Sequence, residues 1–148
     1  MAAITACENN VVTPALDAII EATVYLSGVG ADNVNCAAPH SFYNGVTSLG
    51  GHEAYHGNCV AFGTLIQLTL ECADKAEFED IQNFCLEVGL PITLAELGDF
   101  TDEDLHTIAK NACVKGETIH NLAGDVTPDE LYAAIIATDA LGKARLGK

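Results

Sequence analysis

An all-α helical bundle is the fold class this sequence predicts, and three observations carry it. Apolar residues recur at helical spacing in several segments, capping signals precede the best of them, and no alternating strand of useful length occurs. The chain has 148 residues, 49% of them hydrophobic, so it can bury a sizeable core and reads as a single helical domain over 1–148.

The first helix is announced by Thr13-Pro14, with Thr13 as cap and Pro14 where a missing N–H costs nothing. Leu16, Ile19, Ile20 and Val24 then share one face, and Ser27-Gly28-Val29-Gly30 is expected to end the run. A second helix is expected between Asn33 and Leu49, beginning near Pro39, with Gly50-Gly51 breaking the chain after it. From about Gly57 to Cys72, the residues Val60, Phe62, Leu65, Leu68 and Leu70 are apolar on nearly every side, which predicts a central helix. Phe78, Ile81, Phe84, Cys85 and Val88 form the next stripe, closed by Gly89 and Pro91.

Two later starts are better signed. Thr101-Asp102-Glu103-Asp104 sets a hydroxyl cap and three acids at a helix N-terminus, where the macrodipole favours negative charge. Leu105, Ile108, Ala109 and Ala112 follow at helical spacing, and Gly116 closes the segment. Thr127-Pro128-Asp129-Glu130 is a capping box leading into Leu131, Ala134, Ile135 and Leu141, with Gly142 as the expected stop. The count comes to about six or seven helices by length and capping rules.

Charge narrows the function classes. There are 21 acidic side chains against 6 basic ones, a formal charge of −15, and the first basic side chain is Lys75. Neutralising phosphates needs a Lys/Arg patch, so nucleic acid is excluded as a partner, and an anionic membrane surface is disfavoured for the same reason. The apolar run from Ala54 to Leu70 contains His56, Asn58 and Gln67 and reads as a buried helix, not a membrane span. Six cysteines (Cys7, Cys36, Cys59, Cys72, Cys85, Cys113) include no C-x-x-C pair, which with no visible secretory signal points to reduced thiols and a cytoplasmic protein.

Histidines carry the readable chemistry. His106 sits in a capped amphipathic helix and reads as a surface or half-buried polar side chain, and His120 has no spacing signal. His52-Glu53-Ala54-Tyr55-His56 fits H-E-x-x-H, which in metalloproteases places two zinc ligands on one helical face beside a general base. That chemistry needs a continuous helix, whereas Gly50-Gly51 and Gly57 flank the motif and Cys59 replaces the glycine of its extended form. The protease is therefore a remote alternative.

A resemblance reads the same region differently. Asn10-Val-Val-Thr-Pro-Ala-Leu16, Tyr25-Leu-Ser-Gly-Val-Gly30, Ala37-Ala-Pro-His40 and Asn44-Gly-Val-Thr47 come first along the chain. Tyr55-His-Gly57 with Val60-Ala-Phe-Gly-Thr-Leu65 is the most specific match. Gly89-Leu-Pro-Ile-Thr-Leu94, Gly116-Glu-Thr-Ile-His-Asn121, Thr127-Pro-Asp129 and Tyr132-Ala-Ala134 follow in order. Together they resemble the NAD-dependent glycerol dehydrogenases of the metal-containing alcohol dehydrogenase family, over nearly the whole chain.

The resemblance implies the later part of the family's C-terminal helical domain, in the dehydroquinate synthase/iron-containing alcohol dehydrogenase fold. It implies His40 and His56 as metal ligands, usually to zinc, with His52 a loop residue nearby. In the family a third ligand, an aspartate, lies well upstream of the first histidine, and an N-terminal domain holds NAD; this chain begins after both. Pro39, Tyr43 and Asn58 depart from the residues relatives usually carry. The expectation is a truncated glycerol dehydrogenase-like domain, inactive alone, with a weak zinc site, NAD only through a missing domain and glycerol as the family's substrate. A complementary N-terminal half or a homo-oligomer is the expected partner. The alternative is a non-catalytic helical module for binding or self-association, exposing an apolar face.

Overall fold

The computed structural model describes every residue except Met1, Val34, His52, Glu53 and Lys148, and only the backbone of Ala31. Its described regular structure is helical, in two compact units, Met1–Asn35 and Cys36–Lys148.

The first unit holds α1 (Ala2–Glu8) and α2 (Pro14–Asn33). Asn10, at φ 52°, takes the left-handed turn after α1, and the Val11 N–H reaches back to the Ala6 carbonyl at 3.0 Å. Thr13 Oγ1 then accepts from the Leu16 N–H at 3.3 Å, the expected cap. Helix α2 differs from expectation at its end. It runs through Gly28 and Gly30 to Asn33, because a glycine weakens a helix by only about 1 kcal/mol and neither position adopts positive φ. Its apolar stripe is exposed, Ile19 and Ile20 at 55% and Val24 at 73%. An additional short helix, α1, escaped the sequence reading because it has neither cap nor stripe.

The second unit contains α3 (Ala38–Thr47), α4 (His56–Leu70), α5 (Lys75–Val88), α6 (Asp102–Ala112) and α7 (Pro128–Arg145). Short 3₁₀ turns at Leu94–Glu96 and Thr118–Asn121 join them. Phe42, Phe62, Ile66, Ile108, Ile119, Leu131 and Ile135 are fully buried and form one core from α3, α4, α6, α7 and the second turn. Burying such side chains stabilises by about 1.5–3 kcal/mol each, which dwarfs the helix propensities involved. Thr101 and Thr127 cap α6 and α7 in reciprocal boxes with Asp104 and Glu130, and Asp74 caps α5.

Three backbone approaches set how these helices pack. At Gly45 of α3 an added Cβ would meet the Ile108 carbonyl oxygen of α6 at 2.5 Å, and at Gly63 of α4 it would meet Pro39 Cα of α3 at 2.7 Å. Gly142 lies against the Ile92 carbonyl, so it is a contact point inside α7 and not the stop the sequence suggested. Cys59 and Cys85 are buried thiols. No helix among the described residues is long and apolar enough to cross a membrane.

Candidate metal centre

The site is built where α3 begins beside the start of α4. Pro39 occupies the first turn of α3, where its fixed φ suits the helix, and it seats directly on Gly63, about two turns into α4. His40 follows Pro39 and is half-buried; His56 is the first residue of α4 and is exposed. Their rings lie 5.4 Å apart between centroids, tilted by 57°. Tyr43, one turn along α3 from His40, sets its ring edge-on to His56 at 4.4 Å and 82°. The two residues implied as ligands are therefore together, on neighbouring helices.

Electrostatics favours the ligating form of His40. Burial, and secondarily the charge of His56, hold its pKa below the usual 6.5. A neutral imidazole has the lone pair a metal needs. His40 and His56 would each offer an imidazole nitrogen to a divalent cation such as zinc, and rings 5.4 Å apart are near enough to share one. The pair thus fits two positions of a three-ligand site. Among the described residues no group of three His, Cys, Asp or Glu side chains converges on one point.

Beneath His40, α3 is held by side chains the sequence reading did not single out. Ser41 is fully buried, and its Oγ accepts from the Ile119 N–H at 2.7 Å. Asn44 donates to Glu117 Oε2 at 2.9 Å, and Thr118 Oγ1 donates to the Ala37 carbonyl at 2.8 Å. These bonds tie the start and one face of α3 to the 117–121 segment. The signal available was the pair Ser41 and Asn44, polar residues three apart on a helix whose other face is apolar.

The remaining histidines stand elsewhere. His106 is exposed on α6, stacked on Tyr132 at 4.0 Å between ring centroids and 3.7 Å from Asp102, as a surface side chain should be. His120 is exposed, with Nε2 3.2 Å from the Val114 carbonyl. His52 and Glu53, on which the protease pattern depends, lie outside the described residues. Ala54 and Tyr55 are non-helical and α4 starts at His56, so no helix runs through that pattern.

No family model matches the chain. It is 47% identical over 145 residues to a glycerol dehydrogenase of Pseudomonas putida, covering 95% of this chain and 40% of that protein. A glycerol dehydrogenase of Citrobacter freundii is 47% identical over 146 residues, 97% of this chain and 40% of the relative. The crystal structure of a probable glycerol dehydrogenase from Sinorhizobium meliloti superposes with a TM-score of 0.90 at 40% identity, over 97% of this chain and 41% of that one. The match falls on the C-terminal part of these proteins, and the chain spans about 40% of the length of the curated relatives.

Proposed function

This chain is a glycerol dehydrogenase homologue that corresponds to the C-terminal helical part of its relatives, and from that premise we propose that it is the metal-holding portion of an NAD-linked polyol oxidoreductase. The observation that carries the reading is the approach of His40 and His56 to 5.4 Å across two helices.

Each residue near the pair has a task in this reading. His40, whose pKa is lowered by burial and by its neighbour's charge, offers a lone pair to a divalent cation, and His56 offers the second. Tyr43 packs edge-on against His56 and limits its rotation, while Ser41 and Asn44 fix the face of α3 that presents His40. Zinc, when bound, supplies Lewis-acid polarisation of an alcohol oxygen, and NAD supplies the hydride acceptor. The third ligand and the nucleotide-binding surface belong, in this proposal, to the portion of the relatives this chain does not match. Glycerol is the substrate proposed for the complete assembly.

The test is complementation. The 148-residue chain, incubated with zinc, NAD and glycerol, is expected to form no NADH; added to the separately expressed N-terminal portion of a close relative, it is expected to form NADH. Absence of NADH with both partners folded would contradict the proposal. A second reading, self-association, rests on the exposed side chains Val24, Tyr25 and Leu26 of α2, at 73%, 64% and 62%. Light scattering that shows a monomer at all concentrations would remove it.

A further inference from the structure

The second unit has a cleft between α4, α5 and α7 that is unconnected with the histidine pair. Its volume is about 490 Å³, and Leu68, Phe78 and Leu141 supply apolar wall. Small-molecule sites usually fall between about 300 and 1,000 Å³, with mostly apolar linings and a few polar groups that fix orientation. Leu141 remains 48% exposed although α7 places it beside this wall.

Two polar features distinguish the cleft from a packing gap. Gln82 also lines it; the side chain is 3% exposed, and its Nε2 has no hydrogen-bond partner. Buried amide donors are nearly always satisfied, and a small turn of this side chain toward the cleft would give its donor an acceptor there. The second feature is charge. Lys75 and Arg145 both line the cleft, two of only six basic residues in a chain of net charge −15. Lys75 Nζ stands 3.5 Å from Glu79 Oε1, an exposed pair of little strength, and Arg145 donates to the neutral Asn83 Oδ1 at 2.7 Å. Among the residues that line the cleft two cations face one acid, Glu79, in a chain that is otherwise strongly acidic.

We propose that this cleft binds a small amphiphilic carboxylate of about octanoate length, its tail on Leu68, Phe78 and Leu141 and its head between Arg145, Lys75 and the Gln82 amide. A guanidinium takes a carboxylate through two parallel hydrogen bonds, which an ammonium or alcohol head cannot accept. Each added methylene buried on the wall strengthens binding about fourfold.

Titration of the full chain with octanoate, hexanoate, octanol and octylammonium, followed by calorimetry and by NMR, tests the assignment. Octanoate is expected to bind about fifteenfold more tightly than hexanoate and to shift the Gln82 side-chain amide resonances. Arg145→Gln is expected to weaken octanoate at least about fivefold and leave octanol unchanged. Lys75→Gln, at a side chain 85% exposed, repeats the test if the first variant fails to fold. Equal affinity for octanoate and octylammonium, no dependence on chain length, or wild-type octanoate affinity in the folded variant would overturn the proposal. None of these outcomes depends on whether His40 and His56 hold a metal.

Discussion

Pro39 rests on Gly63 so closely that a single methyl group at Gly63 would sit 2.7 Å from Pro39 Cα and 3.0 Å from its carbonyl oxygen. This contact sets how near the start of α3 comes to α4, and His40 is the residue after Pro39. The histidine pair is thus a consequence of helix packing as much as of the two imidazoles.

Gly63→Ala is therefore expected to destabilise the protein by about 1–3 kcal/mol, the usual cost of overpacking, and to weaken divalent-metal binding at His40 and His56. Urea denaturation and a zinc competition assay read the two effects. A variant as stable as the parent would show that the contact is not tight.

Two glycines that look alike in sequence should respond in opposite directions. Gly142→Ala puts a Cβ into the Ile92 carbonyl and is expected to cost about 2 kcal/mol or more. Gly28→Ala in α2 meets nothing within 4 Å and is expected to stabilise by up to about 1 kcal/mol, through helix propensity alone. Denaturation midpoints of both variants check the sign.

Ser41→Ala removes the acceptor of the Ile119 N–H and leaves it buried without a partner. The expected loss is about 1–3 kcal/mol, read by denaturant unfolding. If the Ile119 amide exchanged with solvent no faster in this variant, the role given to Ser41 would be wrong.

The pH response of His40 in chelator-treated protein follows from its lowered pKa. The fold favours the neutral ring, so its contribution to stability is complete above 6.5 and is lost as pH falls through the lower folded value. Its NMR titration midpoint is expected below 6.5, and His56→Asn is expected to raise that midpoint part of the way by removing the neighbouring charge. Burial, the larger cause, remains in the variant. A midpoint unmoved by His56→Asn would show that the rings do not sense one another.

Helix starts were legible where a capping side chain declares them. Thr101 and Thr127 announce α6 and α7 to the residue, because a hydroxyl with an acid three positions on satisfies backbone donors locally. The buried face of α6, Leu105, Ile108, Ala109 and Ala112, followed from periodicity. Ends were less legible. Gly28, Gly30 and Gly142 read as stops, yet a glycine inside a helix can serve a close approach to a residue far away, as Gly142 does to Ile92. The α2 stripe was visible, but periodicity says only that a face is apolar and nothing about what it meets. His40 and His56 lie on different helices, so no spacing rule joins them; resemblance to the glycerol dehydrogenases did. The Ser41 and Glu117 contacts beneath them bridge distant segments, so the sequence displays the polar pair Ser41 and Asn44 but not what that pair meets.

Metal content is the most direct measure of the central claim, that His40 and His56 present one site. The chain is loaded with zinc, dialysed, and analysed for metal beside a His40→Ala/His56→Ala variant whose fold has been verified by circular dichroism. The parent is expected to retain zinc that the variant loses; equal zinc in the two proteins would contradict the account.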